Sequence, residues 1–112
     1  GKAILCYDNA KVRALGEKTG KTVISYGIDS KDADYRAENI EYGKNGTTYD
    51  ILYKNEVIGK GQLIVPGRHN VLNSLGAIAA ARELGIPLES ILASLAHFSA
   101  VLKPRARLAA FG

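Results

Sequence analysis

Pro66-Gly67 interrupts an apolar stretch, and the chain then enters a helical pattern whose opening turn carries His69, Asn70 and Asn73. Residues three apart on a helix share a face, so Asn70 and Asn73 can converge on one ligand. An asparagine amide offers a donor beside an acceptor, the complement of the N6/N7 edge of adenine. Unpaired backbone N–H groups at a helix start favour an anion or another polar ligand. The competing role is capping, which Asn at a helix start often performs, although Asn73 lies too far inside the helix to cap it easily. Side-chain chemistry alone leaves both roles open.

Asp8 and Asn9 follow a short apolar run and belong at the carboxyl edge of a parallel sheet, where open α/β sheets bind ligands; a loop or helix-cap role is equally available to them. Cys6, the single cysteine, lies inside the apolar run Ala3-Ile4-Leu5-Cys6-Tyr7, which excludes an internal disulfide and suits a reducing compartment. No histidine or helix start beside it would lower its pKa, so it reads as core. Two histidines and one cysteine, far apart, give zinc little support. His97 suits the negative end of a helix and reads as structural. Gly20-Lys21-Thr22 precedes a strand instead of opening a helix, the reverse of a phosphate-binding loop.

The elements that must position these residues follow from periodicity. Ala3–Tyr7 and Thr22–Tyr26 are continuous apolar runs of the kind buried on both faces of a parallel sheet. Between them Ala10–Lys18 has helical spacing through Val12, Leu15 and Thr19, with Gly20 expected as a left-handed terminator. Strand, helix, strand makes a βαβ unit. After a polar loop, Tyr35–Tyr42, Thr47–Tyr53 and Glu56–Val65 alternate, with turns at Lys44-Asn45-Gly46 and Lys54-Asn55, and predict an antiparallel meander whose tyrosines pack across strands. A helix is predicted from Asn70 to Leu84, where small and apolar residues recur at Leu72, Leu75, Ala79 and Ala80. Gly85 terminates it, Ile86 packs back and Pro87 bars continuation. A second helix, from about Leu88 to Phe98, presents Leu88, Ile91, Leu92 and Leu95. The fold class is therefore α/β: a partial parallel sheet (βαβ), then an antiparallel meander and a helical pair.

The 112 residues fit one domain, and the hydrophobic and charged fractions, 46% and 23%, are those of a folded globular chain. No apolar run approaches the ~20 residues that span a bilayer, and no membrane partner is expected. The net charge of +4 is concentrated in Lys103, Arg105 and Arg107; elsewhere the signs alternate, so no nucleic-acid partner is expected.

The segment Val65-Pro66-Gly67-Arg68-His69-Asn70-Val71-Leu72-Asn73-Ser74-Leu75-Gly76-Ala77-Ile78-Ala79-Ala80-Ala81, with Glu83-Leu84-Gly85-Ile86 and Leu95-Ala96-His97-Phe98-Ser99, resembles the second half of the central domain of the Mur ligase family. Leu5 to Asp8, Val23 to Gly27 and Ala33 to Ala37 resemble its alanine-adding branch. The resemblance implies a parent that uses ATP, with magnesium, to phosphorylate the carboxylate of UDP-N-acetylmuramate before the amine of L-alanine attacks, a cytoplasmic step of peptidoglycan synthesis. It also implies that Asn70 and Asn73 hold the adenine, with His69 and Arg68 beside the nucleotide.

Two departures limit what is carried over. The chain has no Gly-x-x-Gly-Lys-Thr/Ser loop, and the carboxylate and histidine that hold magnesium in the family are missing, so no catalytic or metal-binding residue is assigned. The Arg-Arg-Phe-Glu-like motif expected after Phe98-Ser99-Ala100-Val101 is broken, with Pro104 where the family has Arg. Residues 1–101 are thus expected to form a partial central domain and 102–112 a tail foreign to it. The expected activity is an adenine-side subsite that binds ATP weakly, on the order of millimolar, without turnover. The alternative is a folded module without a ligand, associating as a homodimer through unpaired strand edges.

Overall fold

The computed structural model describes residues 2–96. The tail, His97 and the end of the second predicted helix lie outside them.

Strand β1 (Lys2–Cys6), helix α1 (Ala10–Lys18) and strand β2 (Thr22–Gly27) form the expected βαβ unit, with β1 and β2 parallel and Ile4 opposite Ile24. Asn9 starts α1, its side chain accepting the N–H groups of Lys11 and Val12 at 3.0 and 3.1 Å. The inner face of α1 differs from expectation. Leu15 is 64% exposed and Gly16 is buried. A Cβ on Gly16 would stand 2.9 Å from Leu5 Cδ1, so the missing side chain lets the helix lie on β1. Gly20 is not left-handed. The helix ends at Thr19 in an extended conformation, and the chain enters β2 without the reversal that needs positive φ.

Strand β3 (Tyr35–Gly43) is also parallel to β2, reached through only the short loop 28–34. Parallel neighbours normally need a crossover of a dozen or more residues. The short link suffices here because the strands overlap only at Tyr26–Tyr35 and Gly27–Arg36, so β3 begins where β2 ends. Strands β4 (Gly46–Tyr53) and β5 (Glu56–Leu63) complete the antiparallel meander, and the five strands lie in sequence order. Lys54 and Asn55 both take positive φ (48° and 71°), the type I′ geometry that matches strand twist in a two-residue hairpin. Tyr35 pairs with Tyr53 across β3 and β4, ring centroids 4.7 Å apart, as the cross-strand reading of the tyrosines anticipates.

Helix α2 (Arg68–Glu83) lies over β1, β2 and β3 and buries Val71, Ser74, Leu75, Ile78 and Ala79. Of the recurring small and apolar positions, Leu75 and Ala79 are buried and Leu72 and Ala80 half-buried. A Cβ on Gly76 would meet the Tyr26 ring at 3.0 Å, a close helix–sheet approach that the small residues of this helix permit. The helix ends in a Schellman motif: Ile86 N–H reaches Ala81 O and Gly85 N–H reaches Arg82 O, with Gly85 at φ 87°. Ile86 does not pack back; it is 42% exposed. Residues 88–96 are helical, and Leu88, Ile91, Leu92 and Leu95 join the core as predicted, Leu88 and Leu92 lying over Gly59 of β5. The core is centred on Tyr49, Ile51, Val71, Leu75 and Ile78, all 0% exposed. Tyr49 lies across Gly61, where a Cβ would be 2.3 Å from the ring, and its hydroxyl bonds Ser74 Oγ on α2.

Candidate functional site at the carboxyl edge

The loop after β1, the loop after β2 and the start of α2 meet at the carboxyl edge of the parallel strands. Asp8 organises the meeting. Its side chain, 9% exposed, accepts the backbone N–H groups of Ile28 at 2.8 Å, Asp29 at 3.1 Å and Ser30 at 3.0 Å. Burial disfavours its ionised form, but these backbone bonds outweigh burial and hold the carboxyl below its ordinary pKa. Ser30 Oγ also donates to Tyr7 O at 2.8 Å. Gly27 is required beside this nest, since a Cβ there would lie 2.4 Å from Asp8 Oδ1. Further along the loop, Asp34 accepts from Ser25 N–H at 3.0 Å and Asp32 pairs with Arg13 of α1. The loop is fixed at both ends and in the middle.

Helix α2 starts differently. Gly67 precedes it at φ 108°, ψ 141°; no side chain caps it and its first turn holds no acid. That leaves a positive helix end facing the edge. Arg68 Nη2 pairs with the exposed Asp29 carboxylate and stands 3.5 Å from Asp8 Oδ2. His69 and Asn73, one turn apart, are exposed on the same side of the helix. Asn70 is half-buried, and its Nδ2 donates to Pro66 O at 2.7 Å, tightening the entry to the helix. Among the described residues the Asn73 side chain makes no hydrogen bond. The three predicted residues therefore share a helix start, with Asn70 partly engaged and His69 and Asn73 facing outward.

Asp8 and Asn9, each open to a ligand role or a local one, both act locally in this structure: Asn9 caps α1 and Asp8 holds the loop after β2. The nest itself was missed by the sequence reading. Its one sequence signal is an Asp just past a parallel strand, with Gly27-Ile28 just past the next. Among the described residues no three His, Cys, Asp or Glu side chains group as a metal site, and no helix is long and apolar enough to cross a membrane.

The elements define an α/β domain with a mixed five-stranded sheet, these loops closing the carboxyl edge of its parallel strands. Residues 1–81 match the family model of the Mur ligase middle domain. The chain belongs to the Mur ligase family. It is 44% identical over 101 residues to the UDP-N-acetylmuramate–L-alanine ligase of Syntrophotalea carbinolica, covering 90% of this chain and 22% of that protein. It is 40% identical over 115 residues to the ligase of the same name from Dinoroseobacter shibae, covering 100% of this chain and 25% of the relative. The second alignment runs through residues 102–112, the stretch set apart from the family above. The solved UDP-N-acetylmuramate-alanine ligase MurC of Thermotoga maritima aligns at TM-score 0.63 and 29% identity, over 67% of this chain and 17% of that one. A solved UDP-N-acetylmuramoyl-L-alanyl-D-glutamate–2,6-diaminopimelate ligase aligns at TM-score 0.74 and 19% identity, over 86% of this chain and 20% of that one, a likeness of fold. The chain spans about a fifth of the length of the curated relatives it matches.

Proposed function

We propose that this chain carries the adenine-side part of the nucleotide site of an ATP-dependent ligase that joins L-alanine to UDP-N-acetylmuramate in the cytoplasm, and that it does not turn over alone. The observation that carries this reading is the start of α2: an uncapped helix end at the carboxyl edge with the exposed, unbonded amide of Asn73 one turn beyond Asn70. The residues present fit the adenine end of ATP. Asn73 offers a free donor and acceptor, and the half-buried Asn70 amide stands beside it. His69 flanks the same turn. Bound ATP supplies a phosphoryl group for carboxylate activation, and this chain's residues bind and orient its base. The parent's magnesium-holding side chains are not among them.

The test is a titration of the isotope-labelled chain with ATP, following the side-chain amides of Asn70 and Asn73 by nuclear magnetic resonance. Saturable shifts with a dissociation constant on the order of millimolar are expected, since most contacts of a complete site are missing. Phosphate release is expected to be undetectable. ATP-dependent ligation by the purified chain would overturn the reading, as would unmoved Asn70 and Asn73 signals.

A second reading is favoured by one observation. β1 ends the sheet, with Ala3, Ile4, Leu5 and Cys6 half-buried along an edge strand. Such an edge invites pairing with another chain, and the reading is a homodimer without a ligand of its own. Light scattering that finds a monomer across a hundredfold concentration range would remove it.

A further inference from the structure

We infer that Asp8 is a positioning residue for the nucleotide subsite, acting through Asp29 and Arg68 to set where the first turn of α2 stands over the carboxyl edge. This rests on the nucleotide reading above. Asp8 is itself fixed without Arg68. It follows directly on β1, where Tyr7 N–H still bonds Tyr26 O at 2.8 Å, and its carboxylate is gripped by the backbone of Ile28, Asp29 and Ser30. The nest leaves no room to shift toward β2, because Gly27 already lies against Asp8 Oδ1. Gripping Asp29 N–H also fixes the base of the Asp29 side chain, which pairs with Arg68.

Arg68 is the first residue of α2, with its side chain 43% exposed, and it is the partner free to move. Two carboxylates draw its guanidinium toward the loop after β2, and the helix start comes with it. Within the same turn the other side-chain bond is local: Asn70 to Pro66, four residues back along the chain. That bond shapes the entry to the helix without tying it to the sheet. Packing of Val71 and Leu75 and the Ser74–Tyr49 bond hold α2 onto the sheet; Arg68 is the side chain that ties its first turn, with Asn70 and Asn73 next to it, to the loop after β2.

A consequence separates this role from direct ligand contact. The charge of Arg68 is already opposed by Asp29 and Asp8, so it serves as a clamp and not as a free cation for nucleotide phosphates. Its removal should weaken every adenine nucleotide equally, whatever the phosphate count. A direct phosphate contact would penalise ATP most and adenosine not at all.

The experiment titrates adenosine, AMP, ADP and ATP into the full chain and into Arg68→Met, Asp29→Asn and Asp8→Asn, reading the Asn70 and Asn73 amides of the folded protein. Arg68→Met and Asp8→Asn are each expected to weaken all four ligands by the same factor, about three- to tenfold for a misplaced site. The double variant Asp8→Asn/Arg68→Met is expected to be no worse than either single one, since both break one linkage. Asp29→Asn, at a 78% exposed side chain, should shift affinity in the same phosphate-independent way and keeps the test usable where Asp8→Asn fails to fold. A loss that grows from adenosine to ATP in Arg68→Met would overturn the clamp. So would unchanged affinities in Asp29→Asn and in folded Asp8→Asn. Adenosine that leaves Asn70 and Asn73 unmoved in the unaltered chain would instead remove the nucleotide reading, and the positioning role with it.

Discussion

In the β3–β5 meander, cohesion comes from side chains that have left water: Tyr49 and Ile51 are fully buried, Tyr35 packs against Tyr53 with the rings tilted, and Leu63 joins the same core. At the carboxyl edge of the parallel strands it comes from polar side chains closing on backbone: Asp8 on the loop after β2, Asn9 on α1, Asp34 on Ser25, Asn70 on Pro66. The first kind of cohesion is non-directional and scales with buried area; the second depends on individual donors meeting individual acceptors. A sheet can thus be anchored at one end by packing and leave its other end precise but weakly packed, which suits a binding edge. Substitutions should separate the two regimes.

The largest effect is expected in the meander. Tyr49→Ala empties a fully buried site between β4 and α2 and is expected to cost about 4 kcal/mol, enough to unfold much of a marginal domain. Chemical denaturation checks this. Tyr49→Phe keeps the ring and loses only the bond to Ser74 Oγ, which still donates to Val71 O at 2.7 Å; about 1 kcal/mol is expected. If the two variants were equally damaging, the meander would depend on polar chemistry after all, and the contrast would fail.

At the edge, Asp8→Asn is expected to cost about 2 kcal/mol at neutral pH, because a charged acceptor of several backbone N–H groups is replaced by an amide with one acceptor oxygen. The loss should carry a pH signature that Tyr49→Ala lacks. The Asp8 carboxyl is held below its ordinary value in the folded chain, so as pH falls the unfolded chain takes up the proton first. Stability from this group is present above the unfolded value of about 3.9 and lost as pH falls through the folded value. Asp8→Asn should therefore show a shallower decline in stability below pH ~4 than the unaltered chain. Parallel acid profiles would detach the loop from Asp8 ionisation.

The same contrast decides what the sequence could reveal. The meander announces itself through alternation and turn residues, because period-two patterning and left-handed Lys54-Asn55 are properties of adjacent residues. The two parallel strands and the inner face of the helix at 88–96 are equally local and equally legible. Gly16 taking the inner position expected of Leu15 is not, because it depends on how near α1 lies to Leu5, a distance no periodicity encodes. Nor is the nest around Asp8, whose partners lie twenty and more residues along the chain. The helix start at Pro66–Asn73 is legible as a motif, but the partner of Arg68 is not, since Asp29 reaches it only once the loop after β2 has folded over Asp8.

The smallest stability effects fall on asparagines at helix starts, where composition suggests one role and position assigns three. Asn9 accepts two N–H groups of α1, and Asn9→Ala is expected to lower stability by about 1 kcal/mol. Asn70 donates one exposed bond to Pro66 O and should matter less. Asn73 is exposed inside α2 and its side chain makes no hydrogen bond among the described residues, so Asn73→Ala replaces a poor helix former with the best one. A gain of about 0.5 kcal/mol is expected. A residue that costs the helix stability while bonding nothing in the protein is consistent with a ligand role, and Asn73→Ala should combine a raised thermal midpoint with lost ATP-induced shifts at the neighbouring Asn70 amide. A fall in the midpoint would mean that Asn73 supports the helix, and the adenine role would then lose the feature that distinguishes Asn73 from an ordinary structural asparagine.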